Sequence, residues 1–122
     1  MTVEVVMADA HGLIGGVQAT EQILSGHRLP TAVLAEYDEM AFGSLRTFKR
    51  AGVDVPGRVS VMGFDDHEMA SVVDLTTIAQ SVYQQGEAAA RLLLDLLHAP
   101  QEPQDVVLPT RLVVRGTTAP PP

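Results

Sequence analysis

Three times along this chain a short apolar run is followed by residues at helical spacing, and that alternation limits the available folds more than any other feature. The run "VEVVM" (residues 3–7) leads to Leu13, Val17, Thr20 and Leu24 on one helical stripe, which closes at Gly26. "TAVLA" (31–35) leads to Asp38, a residue type that caps helix starts, and then to Ala41, Leu45 and Phe48 on one side of a helix ended by "AGVDVP". Gly52 stands where a left-handed cap is wanted. "VSVMGF" (59–64) precedes a short irregular segment and "LTTIAQ" (75–80), whose β-branched residues predict a further strand. Parallel neighbours need crossovers, so the pattern predicts an α/β fold, a parallel sheet with helices on both faces.

Residues 81–97 carry the clearest helical pattern, opened by the capping box Ser81-Val82-Tyr83-Gln84. Leu92, Leu93, Leu94, Leu96 and Leu97 surround most of its circumference, more than one neighbouring layer can bury. Two short strands, "DVVLP" and "RLVVRG", are predicted next, and the tail "TTAPPP" (117–122) is expected to be loose.

In a parallel sheet the carboxyl ends of the strands open on one side, where ligands bind. The three runs end at Ala8-Asp9, at Glu36-Tyr37-Asp38 and at Gly63-Phe64-Asp65-Asp66, which sets acids along one rim. Gly63 permits a close approach or a turn, and Phe64 offers a flat apolar face.

The net charge of −7 disfavours DNA or anionic lipid as a direct partner, because neither releases counterions to a surface of its own sign. No apolar run approaches the length of a membrane span, and the first residues lack the pattern of a signal peptide. With no cysteine, disulfides and thiolate metal sites are excluded; a reducing, cytoplasmic setting is the expectation. No cofactor is expected. "DDHE" (65–68) contains metal-ligand types, but consecutive residues after a strand point in different directions, and His11, His27 and His98 lie in separate connections.

Four spaced motifs carry a resemblance. Asp-x-Met-Ala-x-Gly stands at 38–43, Gly-Val-x-Val-Pro at 52–56, Val-Ser-Val-x-Gly-Phe-Asp-Asp at 59–66 and Leu-Thr-Thr-Ile-x-Gln at 75–80. In this order they resemble the C-terminal part of the lactose/galactose-repressor (LacI/GalR) family of bacterial transcription regulators. The match continues through "GEAAARLLLDLL" to "VLPTRLVVRGTTAPP", while residues 1–30 match only loosely, through "GGVQATEQIL".

The resemblance implies a parallel-sheet lobe of a periplasmic-binding-protein-like domain that closes with a second lobe on a small-molecule effector, commonly a sugar or nucleobase in the family and here expected to be a sugar or polyol. It implies a partial chain. Residues 1–80 form the C-terminal lobe, 81–100 a helix that packs on the missing N-terminal lobe, 101–116 the terminal strands and 117–122 the tail. It also implies a homodimer, and contact with DNA only through a helix-turn-helix outside this sequence.

Carried over residue by residue, Asp65 matches an acid that accepts hydrogen bonds from ligand hydroxyls, and Gln80 a polar residue on the crossover between lobes. Tyr37 stands where the family usually has Asn, which exchanges a two-way amide for a phenol with a stacking face. The family's Arg near the end of the first strand falls about at Met7, and a fork donor is lost. Phe64 and Asp66 complete the expected ligand-binding set.

Plainer roles compete with these. Asp38 reads as an N-cap before it reads as a ligand contact, and Asp66 caps the following turn or touches ligand. Met40 and Phe48 are core candidates. A transporter's solute receptor shares the fold and is the alternative function. A hydrolase using Asp65 and Asp66 is disfavoured, since adjacent residues cannot readily flank a scissile bond, and no nucleophile motif or phosphate loop is present.

Overall fold

The computed structural model describes residues 2–99, 102 and 105–121. The order of elements is α1 (Gly12–Ser25), β1 (Ala32–Leu34), α2 (Asp38–Arg50), β2 (Ser60–Asp65), a short 3₁₀ turn at Glu68–Ala70, β3 (Thr76–Ala79), α3 (Val82–His98) and β4 (Arg111–Val113). The four strands lie side by side in the order β1-β2-β3-β4. β1, β2 and β3 run parallel, with Val33 opposite Val61 and Gly63 opposite Thr77. β4 returns antiparallel to β3, with Arg111 opposite Ala79.

Three of the apolar runs become strands because their β-branched residues meet a helix. Val59, Val61, Phe48 and Leu75 are fully buried, together with Ala41 of α2 and Ala70. α2 lies over the face that carries Val61 and Gly63: a Cβ on Gly63 would run into the Asp38 carboxylate and stand 3.2 Å from Asp38 Cα. α1 packs on α2, with Ile23 and Leu24 reaching the core. Those two helices take one side of the sheet. The other side shows Leu34 and Leu112, 68% and 55% exposed, so among the described residues the second helical layer expected there is not packed.

The run at 3–7 is not a strand. A strand exists by pairing, and among the described residues no strand pairs with this segment; Met7 O accepts from the Gln22 side chain, at 3.1 Å, and Val3 and Val5 are exposed. "DVVLP" is likewise unpaired along its described residues 105–109, and only residues 111–113 of the second run form β4. The expectations at 100, 101, 103, 104 and 122 lie outside the described residues.

The tail is not loose where it leaves the sheet. Thr117 fills the gap below β3: its carbonyl accepts from Val61 N at 2.8 Å, and its hydroxyl donates to Val61 O at 2.7 Å and accepts from Thr76 N at 2.9 Å. Ala119 exchanges two hydrogen bonds of 3.1 Å with the Ser60 side chain. Buried threonines satisfied by backbone hold this end as a strand would.

Gly52 adopts φ +70° at the end of α2, as its left-handed cap role requires. Ser81 caps α3 by accepting from Gln84 N at 3.3 Å. No residue of α3 is buried.

Candidate functional site

The carboxyl ends of β1, β2 and β3 open on one rim, and the loops that leave them are tied together from within. Asp38 is the main tie. It is the first residue of α2 and 1% exposed, and Tyr37 occupies the cap position in its place. Asp38 Oδ1 accepts from Thr77 Oγ1 at 2.6 Å, and Oδ2 from His67 N at 2.8 Å. The capping role expected for Asp38 is therefore corrected: its carboxylate joins α2 to β3 and to the loop after β2. The reason is distance, since both partners lie within reach only because Gly63 leaves room beside them.

Above this tie the candidate binding residues fall into four groups. Asp65 and Gln80, from the ends of β2 and β3, meet directly: Gln80 Nε2 donates to Asp65 Oδ1. Gln80 Oε1 in turn accepts from Gln85 Nε2 of α3 at 2.9 Å. This run of side-chain hydrogen bonds orients the Asp65 carboxylate.

Asp66, the next residue, turns away from Asp65. Its Oδ1 accepts from Arg115 Nη2 at 2.7 Å, in a pair whose side chains are 17% and 26% exposed. Tyr37 is half-buried and its phenol oxygen accepts from Gly12 N at 2.7 Å, which brings the start of α1 to the rim. Phe64 is half-buried beside Ile78 in register, on the sheet face opposite Gly63.

Asp65, Asp66 and His67 thus have three different engagements, the last through its Nδ1, which accepts from Met69 N at 3.1 Å. Among the described residues no group of three or more His, Asp or Glu converges as a metal site.

A hollow of about 280 Å³ lies beside Ala79, Gln80 and Ser81, closed by Pro109, Thr110 and Arg111. A larger one, about 840 Å³, lies away from the rim, between Phe42, Leu45 and Lys49 of α2 and the turn at Val53–Val55. Its lining mixes Phe42, Leu45, Val53 and Val55 with the polar side chains of Lys49, Asp54, Asp74 and Thr117. The rim brings together a carboxylate, which can accept from two vicinal hydroxyls, and an amide, which both donates and accepts.

Sequence reasoning missed Gln85, Arg111 and Arg115. The first two are ordinary surface residue types, and nothing in their spacing sets them apart. Arg115 left a signal, a cation ending the apolar run "RLVV" that needs a partner on folding.

A largely parallel sheet with a carboxylate and an amide meeting where its strands end defines a lobe of the periplasmic-binding-protein kind. The family model described as "Periplasmic binding protein-like domain" matches residues 2–118. The chain belongs to that family, in its lactose/galactose-repressor branch.

Over 119 residues the chain is 41% identical to the HTH-type transcriptional regulator MalR of Streptomyces coelicolor, a match that takes in 95% of this chain and 34% of that protein. The HTH-type transcriptional repressor CytR of Escherichia coli is 38% identical over 106 residues, 84% of this chain and 31% of the repressor. Among solved structures, a LacI family transcriptional regulator from Enterococcus faecium with bound ribose superposes with a TM-score of 0.77 at 37% identity, over 89% of this chain and 41% of that one. The lac repressor dimer bound to operator and the anti-inducer ONPF gives 0.82 at 36% identity, over 88% and 38%. The chain spans about a third of the length of the curated relatives it matches.

Proposed function

We propose that this chain is the effector-binding part of a cytoplasmic transcriptional regulator, with the rim at Asp65 and Gln80 taking a small hydroxylated molecule, a sugar or polyol. The observation that carries the reading is the contact between Asp65 and Gln80, two side chains from separate strands brought together at the rim of this fold. The similarity to regulators, one of them with bound ribose, supports it over a transporter's solute receptor. In this reading residues 1–80 are one lobe, α3 leads into a second, and a DNA-reading segment and a second subunit complete the regulator. The site performs no catalysis: Asp65 accepts from ligand hydroxyls, Gln80 holds Asp65 and bonds the ligand through its amide, and Tyr37 and Phe64 border the ligand with apolar surface.

The test is a thermal-stability screen of the chain against pentoses, hexoses and nucleosides at millimolar concentration. One class should raise the melting temperature, and Asp65→Ala should abolish that rise while leaving the unliganded melting temperature nearly unchanged. A large drop in the unliganded protein would instead make Asp65 a structural acid.

A further inference from the structure

Asp65 and Asp66 both have positive φ, 119° and 57°. Aspartate tolerates the second value, but the first is a backbone state that residues with a side chain rarely enter. Such a turn persists only where its surroundings over-determine it. Three contacts do so here: Arg115 Nη2 on Asp66 Oδ1 at 2.7 Å, Asp66 N donating to Thr77 Oγ1 at 3.4 Å, and Gln80 Nε2 on the Asp65 carboxylate.

The Arg115 contact is the strongest of the three, because it joins two charges largely withdrawn from solvent. Arg115 is itself fixed. Its Nη1 donates to Leu75 O at 2.8 Å and its backbone N to Thr76 Oγ1 at 2.9 Å, so the guanidinium cannot follow the aspartate if the turn shifts. Topology adds a second point. Gln80 follows β3 where the chain leaves the sheet for α3, and Arg115 follows β4, which brings the chain back. The two aspartates therefore clasp the outgoing and returning legs of one excursion.

We propose that Arg115 is a positioning residue for ligand recognition: by holding the Asp66 carboxylate it fixes the turn at 65–66 and so aims the Asp65 carboxylate into the rim. The proposal rests on the reading of Asp65 as the ligand's acceptor. Without Arg115 the turn relaxes toward extended backbone and Asp65 swings away, while the sheet stays closed through Thr117, whose bonds to Val61 and Thr76 do not involve the guanidinium.

The test uses the isotopically labelled chain. Its Cα and Cβ chemical shifts at Asp65 and Asp66 report φ, and a titration with D-ribose reports binding. Arg115→Gln should move both residues' shifts toward extended values and weaken D-ribose binding at least ~10-fold, a loss in the range of a removed charge-assisted hydrogen bond. Shifts at Thr76 and Thr117 should stay in place. Arg115→Lys keeps the charge with a single donor head and should give an intermediate result. Asp66→Gly removes the acceptor without adding backbone strain; it should displace Asp65 in the same way, and it decides the matter if Arg115→Gln fails to fold.

Asp65 shifts that do not move in either variant overturn the proposal, as do shifts that move while the D-ribose affinity of a binding chain is unchanged. A wild-type chain that ignores D-ribose counts against the sugar reading alone, and displaced Asp65 shifts in the variants then still support the positioning role.

Discussion

Asp38 behaves inside this protein as a three-way bolt, and its loss should be felt as instability. It is 1% exposed and accepts two hydrogen bonds, from Thr77 Oγ1 and His67 N. Asp38→Ala strands a buried hydroxyl and a half-buried amide and should cost about 3 kcal/mol in urea unfolding, at about 1.5 for each bond to a charged group. Asp38→Asn keeps the shape and one acceptor and should cost about half as much. Equal and small losses for both variants would remove Asp38 from this role. The sequence indicated an acid at a helix start, and its true partners lie 29 and 39 residues away, where spacing says nothing. The same limit hid the pairing of Asp66 with Arg115, 49 residues distant. The resemblance singled out Asp65 and Gln80 because each stands at or next to the end of a recognisable motif. Their direct contact was not legible.

At the scale of elements, the contact between α1 and α2 is made backbone to backbone. A Cβ on Gly16 would run into Met40 O, and one on Gly43 would run into Leu13 O and stand 2.8 Å from Val17 N. This gives the glycine of Asp-x-Met-Ala-x-Gly a steric reason. Gly43→Ala should push the helices apart and destabilise the chain by about 3 kcal/mol, at the upper end for an overpacked site, although alanine is the better helix former. A neutral or stabilising effect in chemical unfolding would contradict this packing. The strands at 32–34, 60–65 and 76–79 were legible because their β-branched residues end up against other structure. Residues 3–7 have the same composition and no strand to pair with, and composition cannot report a missing neighbour. Thr117 shows the converse. In sequence it opens a Pro-rich tail, and in the fold its hydroxyl and carbonyl complete the sheet.

On the scale of the whole molecule, α3 is the element without a home. It has no buried residue, and Leu93, Leu94 and Leu97 are 59%, 55% and 73% exposed. At roughly 25 cal/mol per Å² of apolar surface, covering these leucines is worth several kcal/mol to whatever does so. In the proposed regulator the second lobe covers them. In the chain by itself a second copy is the nearest substitute, so sedimentation at micromolar concentration should show dimers or larger species, and Leu93→Glu combined with Leu97→Glu should shift them to monomer. A monomer with α3 folded against its own sheet would contradict this expectation. Effector binding, in the proposed reading, belongs to the rim at the strand ends. Its most direct measurement is a map of amide chemical-shift changes as the labelled chain is titrated with pentoses, hexoses and nucleosides. The changes should concentrate at Asp65, Asp66, Gln80 and Tyr37, and be absent from Asp65→Ala. Changes centred instead on the hollow at Phe42, Leu45 and Val53, or no change with any of these ligands, would contradict that reading.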